Sequence, residues 1–254
     1  MVKKINEQCC VVVSSFDGFE DVWEAFFTLF FRYFPDCPFE VYLITNKKMY
    51  VDKRVKVVKV GTDLGWSSNL KKALKKIKTE YILYMQEDYF LKKKIDTKDV
   101  SWFLEVMKKE QADCMRLIPV PGADQKWKSY KKIGLISKNA KYRISLQAAF
   151  WKKSSLEKSL NEGESGWDME IKGSGDGRSD KMLFLSVVRD EKIKPPLPYC
   201  CTAIVKGKWK KEAIDLCETE GVDIDWEKRG VYKKPDQINT WIYKSKRRLN
   251  DLLH

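Results

Sequence analysis

The chain has 254 residues, 43% hydrophobic and 13% aromatic, so one large domain can bury a sizeable core and wholesale disorder is excluded. Its net charge of +13 draws phosphates of any kind, on nucleic acid, anionic membrane or nucleotide-linked substrates, although the lysines are spread along the chain and read mostly as solvated faces. The single histidine, His254, excludes a Ser-His-Asp triad, a histidine acid–base pair and a multi-histidine zinc site, leaving chemistry to carboxylates, a hard metal, lysine or cysteine.

The start, MVKKINEQ, is basic, but the apolar run after it is too short for a signal peptide. No stretch approaches the ~20 apolar residues of a membrane span. The expectation is a cytoplasmic protein, peripheral to a membrane at most. CCVVVSS (9–15) is a short β-branched run that predicts a buried strand. Val22, Trp23, Phe26, Phe27 and Phe30 recur at helical spacing over 20–34, with acids in the first turn and Pro35 beyond the end. FEVYLITN (39–46) and VKVVKV (55–60) predict two more strands. GWSSNLKKALKKIKTE (65–80) predicts an amphipathic helix capped by Ser67 or Ser68, with Leu70, Ala73, Leu74 and Ile77 facing inward. A strand over 81–86, a helix over 97–111 and a strand over 114–120 complete the first half.

This alternation predicts an α/β domain with a largely parallel sheet. Ligands gather beyond the carboxyl ends of such strands, and three of these ends are polar: Ser14-Ser15-Phe16-Asp17, Thr45-Asn46 and Gln86-Glu87-Asp88. The second half is less regular. KIGLISK (132–138) and YRISLQAAFW (142–151) read as strands or a hairpin. Residues 154–175 read as a short helix, a Gly-rich turn and another short helix. CCTAIVKGKW (200–209) reads as a strand with a turn, and 210–221 as a helix ended by Gly221. The tail over 236–254 reads as a basic amphipathic helix, suited to packing or to an anionic membrane surface. The seven cysteines read as reduced, mainly buried thiols, with the adjacent pairs pointing to opposite faces of their strands.

Four features could carry chemistry. Glu87 and Asp88, at a strand end on a rigid scaffold, suit Mg²⁺ or Mn²⁺ shared with a diphosphate, or are simply a strand ending in solvent. Glu164, Asp168 and Glu170 lie beside Trp167, where an aromatic platform and an acid suit a carbohydrate; helix-start acids are the plainer reading. VKGKWKKE (205–212) suits a phosphate-binding loop or a solvated lysine turn. Arg116, inside an apolar strand, needs a partner there, a phosphate or a carboxylate.

The order and spacing of VVVSSFDGFEDVW, VYLITN, GWSSNLKKALKKIKTEYILYMQEDYF, ISLQAAFW, GESGWDMEIKGS and VKGKW resemble glycosyltransferases of the A-type fold, in particular small bacterial and large-DNA-virus members. The resemblance spans most of residues 10–210. It implies one Rossmann-like domain over 1–235, with a nucleotide-binding half to about 120 and an acceptor half beyond, and the helix 236–254 appended. It implies transfer of a hexosyl or pentosyl group from a UDP- or GDP-sugar to a glycan, a lipid-linked glycan or another hydroxyl, with no nucleic-acid partner. By position, it places Ser15, Asp17, Asn46, Ser67, Asn69, Arg116 and Trp167 at the nucleotide sugar. Asp88 matches the last aspartate of the D-x-D metal motif, with Glu87 its helper for Mn²⁺ or Mg²⁺. Gln86 departs from the pattern at the motif's first position. The Trp167–Glu170 segment matches the region holding the base of inverting enzymes, so Glu170 or Asp168 would deprotonate the acceptor. A basic nucleic-acid-binding protein or metal-dependent nuclease, and an inactive sugar-binding relative, are the alternative readings of the same residues.

Overall fold

Strand β1 (Cys9–Ser14) is buried along its whole length. It pairs in parallel with β2 (Glu40–Thr45) on one side and β4 (Tyr81–Gln86) on the other, and β2 pairs in parallel with β3 (Val55–Lys59). A β-branched run covered on both faces is what a central parallel strand requires. Residues 8–200 and 202–233 are described by a computed structural model. The expected helix over 236–254, His254 and Cys201 lie outside the described residues.

The sheet continues past β4 with β8 (Ala149–Lys152), β5 (Cys114–Arg116), β9 (Phe184–Val187), β7 (Ile133–Leu135) and β6 (Gln125–Lys126), giving the order β3-β2-β1-β4-β8-β5-β9-β7-β6. Strand β8 runs antiparallel to both neighbours, while β5 and β9 are parallel to each other, so the sheet is mixed and mainly parallel. Six α-helices flank it among the described residues. Helices α1 (Glu20–Tyr33), α3 (Thr97–Lys109) and α6 (Lys211–Glu220) pack with Cys9, Val11 and Val13 on one face. Helices α2 (Trp66–Lys76), α4 (Lys153–Ser159) and α5 (Gly166–Gly173) pack with Cys10 and Val12 on the other. Cys9 and Cys10 thus enter opposite cores, as strand alternation requires. Cys9, Cys10, Cys37, Cys114 and Cys217 are free thiols.

The structure corrects three local expectations. Helix α2 is not capped by Ser67 or Ser68; Gly65 stands at its N-cap in a positive-φ conformation, and Ser67 lies inside the first turn with its hydroxyl buried and unpartnered. Strand β5 stops at Arg116 instead of reaching 120, since Pro119 and Pro121 cannot donate to a ladder. Residues 142–148 are irregular, because side chains replace the ladder there: Glu170 accepts from Leu146 N at 2.7 Å, and Tyr199 Oη accepts from Ala148 N at 3.0 Å. Strand β9 was not anticipated; it lies fully buried beside β5.

Because β1 connects toward β2 and β3 but β4 lies on its other side, the winding reverses between β1 and β4, where open α/β sheets leave a crevice at the strands' carboxyl ends. The register sets Ser14 directly opposite Gln86 there.

Candidate active site

Two adjoining chambers occupy this crevice. The first, about 350 Å³, is lined by Ser14, Ser15, Phe16 and Phe19 from the end of β1, and by Asp63, Gly65, Trp66 and Asn69 from the entry to α2. The second, about 620 Å³, shares Phe19, Trp66, Gln86 and Glu87 with the first and adds Asp88, Trp167, Glu170 and Lys206 among its walls. Both volumes match small-molecule sites rather than macromolecular grooves.

The two carboxylates after β4 are delivered by an extension of strand pairing. Past Gln86 the chain runs alongside 198–203: Lys92 N donates to Pro198 O, Cys200 N to Phe90 O and Ala203 N to Asp88 O, while Tyr89 and Tyr199 stack 4.7 Å apart. Glu87 and Asp88 are consequently only 8% and 6% exposed. Asp88 Oδ2 accepts from the Thr202 hydroxyl and from Ile204 N. Asp88 Oδ1 is buried with no hydrogen-bond partner among the described residues. Burial pushes both carboxyls up, Glu87 well above its ordinary value; the adjacent Asp88 charge raises Glu87 further, while the Thr202 and Ile204 bonds pull Asp88 back.

A buried carboxylate oxygen without a donor costs about 1–3 kcal/mol, and a hard cation would satisfy it. Gln86 donates its amide N–H to Tyr84 Oη at 3.2 Å and lines the same chamber as a neutral side chain. Among the described residues no cluster of three His, Cys, Asp or Glu side chains could hold a metal alone. The donor set therefore fits a divalent cation that completes its shell with substrate or water oxygens, and does not fit a resident structural metal.

Glu170 faces the carboxylates from α5. Its Oε1 is pinned by Leu146 N, and Oε2 has no hydrogen bond among the described residues. Trp167, three residues earlier, is 70% exposed at the mouth of the same chamber, so the two side chains share a wall as their spacing predicts. Ser15 accepts from Trp23 Nε1 at 2.8 Å, freeing its own hydroxyl proton for a ligand.

Of the eleven residues given a nucleotide-sugar, metal or base role in the sequence, six therefore meet at the cleft: Ser15, Asn69, Glu87, Asp88, Trp167 and Glu170. Asn69 acts from within the wall, donating to Asp63 Oδ1 at 2.7 Å and accepting from Leu64 N at 3.2 Å. The other five do not line either chamber. Asp17 accepts from the backbone N–H groups of Asn46, Lys47 and Lys48, knitting the ends of β1 and β2. Asn46 accepts in turn from Asp17 N, and its Nδ2 is buried without a partner. Ser67 is buried within the first turn of α2.

Asp168 is the helix-cap partner of Ser165 and pairs with Lys172 at 2.9 Å. The Lys172 bond, with two from Ser165, holds its carboxyl well below the usual range, which makes it a poor base. Glu164 is spent on Arg178.

Arg116 is fully buried on β5, donating to the carbonyls of Pro121, Tyr142 (3.1 Å) and Arg143 (2.9 Å). Its partners are backbone oxygens, neither phosphate nor carboxylate. Arg116→Lys keeps the charge but cannot reach all three, so it is expected to cost about 2–4 kcal/mol in urea unfolding while nucleotide affinity stays unchanged.

Phe16, Phe19, Trp66 and Thr202 were not singled out in the sequence. The signal for the phenylalanines was the aromatic spacing within FDGF, directly after a polar strand end. Thr202 carried no signal, lying 114 residues from the carboxylate it touches.

No family model matches the chain, and no curated protein sequence matches it. Among solved structures it is similar to TarS of S. aureus, with a TM-score of 0.50 and 15% identity over 86% of this chain and 40% of that one. It is equally similar to TarS 1-349 in complex with UDP, with a TM-score of 0.50 and 15% identity over 86% of this chain and 66% of that one. The chain thus spans less than two thirds of either. At this identity the likeness is one of fold alone: a Rossmann-like domain with a mixed, mainly parallel sheet flanked by helices.

Proposed function

We propose that the chain transfers a hexosyl or pentosyl group from a UDP- or GDP-sugar to a hydroxyl of a glycan or lipid-linked glycan, with divalent-metal assistance and inversion at the anomeric carbon. The observation that carries this reading is the pair of buried carboxylates with an unpartnered Asp88 oxygen, set between a chamber at the strand ends and a second chamber walled by Trp167 and Glu170. The first chamber takes the nucleoside, against Phe16, Phe19 and Ser15. The second takes the sugar and the acceptor, whose ring face rests on Trp167.

In this reading Asp88 and Glu87 would hold Mn²⁺ or Mg²⁺, which when bound would supply positive charge to the diphosphate. Glu170 Oε2 receives the acceptor proton while the acceptor oxygen bonds to the anomeric carbon. The sugar–phosphate bond breaks on the opposite side, and its electron pair leaves with the nucleoside diphosphate. The Leu146 bond keeps Glu170 aimed through this step. The acidic floor disfavours a metal-free nucleic-acid-binding reading, since an unshielded phosphate backbone would meet Glu87, Asp88 and Glu170 together.

Thermal unfolding with UDP or GDP, with and without Mn²⁺, tests the binding half of this reading. Nucleotide and Mn²⁺ together are expected to raise the melting temperature by several degrees, as about 100-fold saturation adds about 2.7 kcal/mol. No shift with either nucleotide would overturn it.

A further inference from the structure

The chain carries 49 lysines and arginines, yet among the described residues only one of them, Lys206, lines either chamber. Three acids, Glu87, Asp88 and Glu170, line the second chamber with it. A nucleoside diphosphate lying there brings two or more negative charges next to carboxylates, and a single divalent cation leaves that balance negative. The neutral Gln86 at the first motif position removes one acid from the balance but adds no positive charge.

Lys206 is delivered by a hairpin. Strands β10 (Ile204–Val205) and β11 (Lys208–Trp209) are joined by Lys206-Gly207, both with positive φ, 51° and 76°. This is the two-residue hairpin turn in which asparagine and glycine are preferred, and a lysine stands in it instead. The hairpin root is bonded to the metal-ligand candidate itself: Ala203 N donates to Asp88 O, and Thr202 and Ile204 N donate to Asp88 Oδ2. Its far strand is anchored by the fully buried Trp209, whose ring lies 6.0 Å from Phe90. No described residue pairs with the Lys206 ammonium. The nearby Arg229 is already committed to Asp21 and to Gly18 O.

We infer that Lys206 is the second cation of the site: its ammonium binds the diphosphate of the donor and holds the charge that arrives there when the sugar–phosphate bond breaks. This rests on the nucleotide-sugar reading above. Lys206 transfers no proton; it neutralises the leaving oxygens in the chamber that Asp88 also lines, on a hairpin whose root is bonded to Asp88. Diphosphate recognition then persists in part without metal.

The test measures binding of UDP and GDP against uridine and guanosine to the full chain by calorimetry, in EDTA and in Mn²⁺, for the wild type, Lys206→Met and Lys206→Arg. Lys206→Met is expected to weaken the bound diphosphate by about tenfold or more in both buffers, to leave the nucleoside unchanged, and to lower kcat by about 100-fold. Lys206→Arg is expected to restore most of the binding. Unchanged nucleoside affinity also reports that the variant is folded. Equal diphosphate affinity in wild type and Lys206→Met, or a wild type that binds nucleoside and diphosphate equally, would overturn the inference alone. A wild type that binds neither nucleotide would overturn the nucleotide-sugar reading, and this inference with it.

Discussion

Asp88→Asn is expected to lower sugar transfer by about a thousandfold while leaving the fold intact. The asparagine carbonyl can still accept from Thr202 and Ile204 N, so the clasp that orders 202–204 survives. What is lost is the anionic oxygen that has no partner among the described residues and would bind the cation. Removing about 4 kcal/mol of charge stabilisation at the leaving diphosphate corresponds to that factor. Stability should move the other way. Burial raises the Asp88 carboxyl, so its contribution to folding is fully present below its ordinary value near 3.8 and is lost as pH rises through the folded value. At neutral pH the carboxylate therefore costs stability, and the asparagine variant is expected to melt no lower than the wild type in EDTA. The same raised carboxyls require that a cation displace protons, so Mn²⁺ affinity should fall as pH falls. Calorimetric Mn²⁺ titration at several pH values measures this, and affinity that rises on acidification would contradict it.

Glu170→Gln is expected to reduce kcat by about 10²–10⁴, with KM for the donor little changed. The glutamine carbonyl still accepts from Leu146 N, so the loop over 142–148 keeps its anchor. Only the capacity to take a proton disappears. Asp168→Asn is the informative partner: it loosens the start of α5 and its Lys172 pair but leaves the chamber unaltered, so transfer should fall less than threefold. A larger loss in Asp168→Asn than in Glu170→Gln would reverse the assignment of the base.

The first half of the fold could be read from sequence because its signals are local. Strands over 9–15, 39–46 and 81–86 are built on apolar runs of four or five residues, and the helices between them carry long apolar stripes. Their polar ends converge because parallel strands bring equivalent ends to one edge, so Glu87 and Asp88 stood out early. The second half is built from strands of two to four residues, such as Ile133–Leu135 and Phe184–Val187, and from β8 inserted antiparallel between β4 and β5. Neither length nor pattern identifies such pieces, since their partners are remote in sequence.

The site divides along the same line. Arg116 showed that it needed a partner, but nothing local indicated three backbone carbonyls brought in by 121 and 142–143. The choice between Asp168 and Glu170 was accessible: Ser165-x-x-Asp168 has the spacing of a helix capping box, which the structure forms. Glu170 lies beyond that box, one turn in from the helix start, where no cap needs it. That Asp88 would meet Thr202, and that Lys206 would hang from the same clasp, depends on the 198–204 segment returning beside β4, a contact with no sequence signature.

The most direct test of the central claim is release of nucleoside diphosphate from a panel of UDP- and GDP-sugars by the full chain with Mn²⁺. The account predicts release from at least one donor by the wild type, and about a thousandfold slower release by Asp88→Asn. No release from any donor, or equal release by the two proteins, would contradict it.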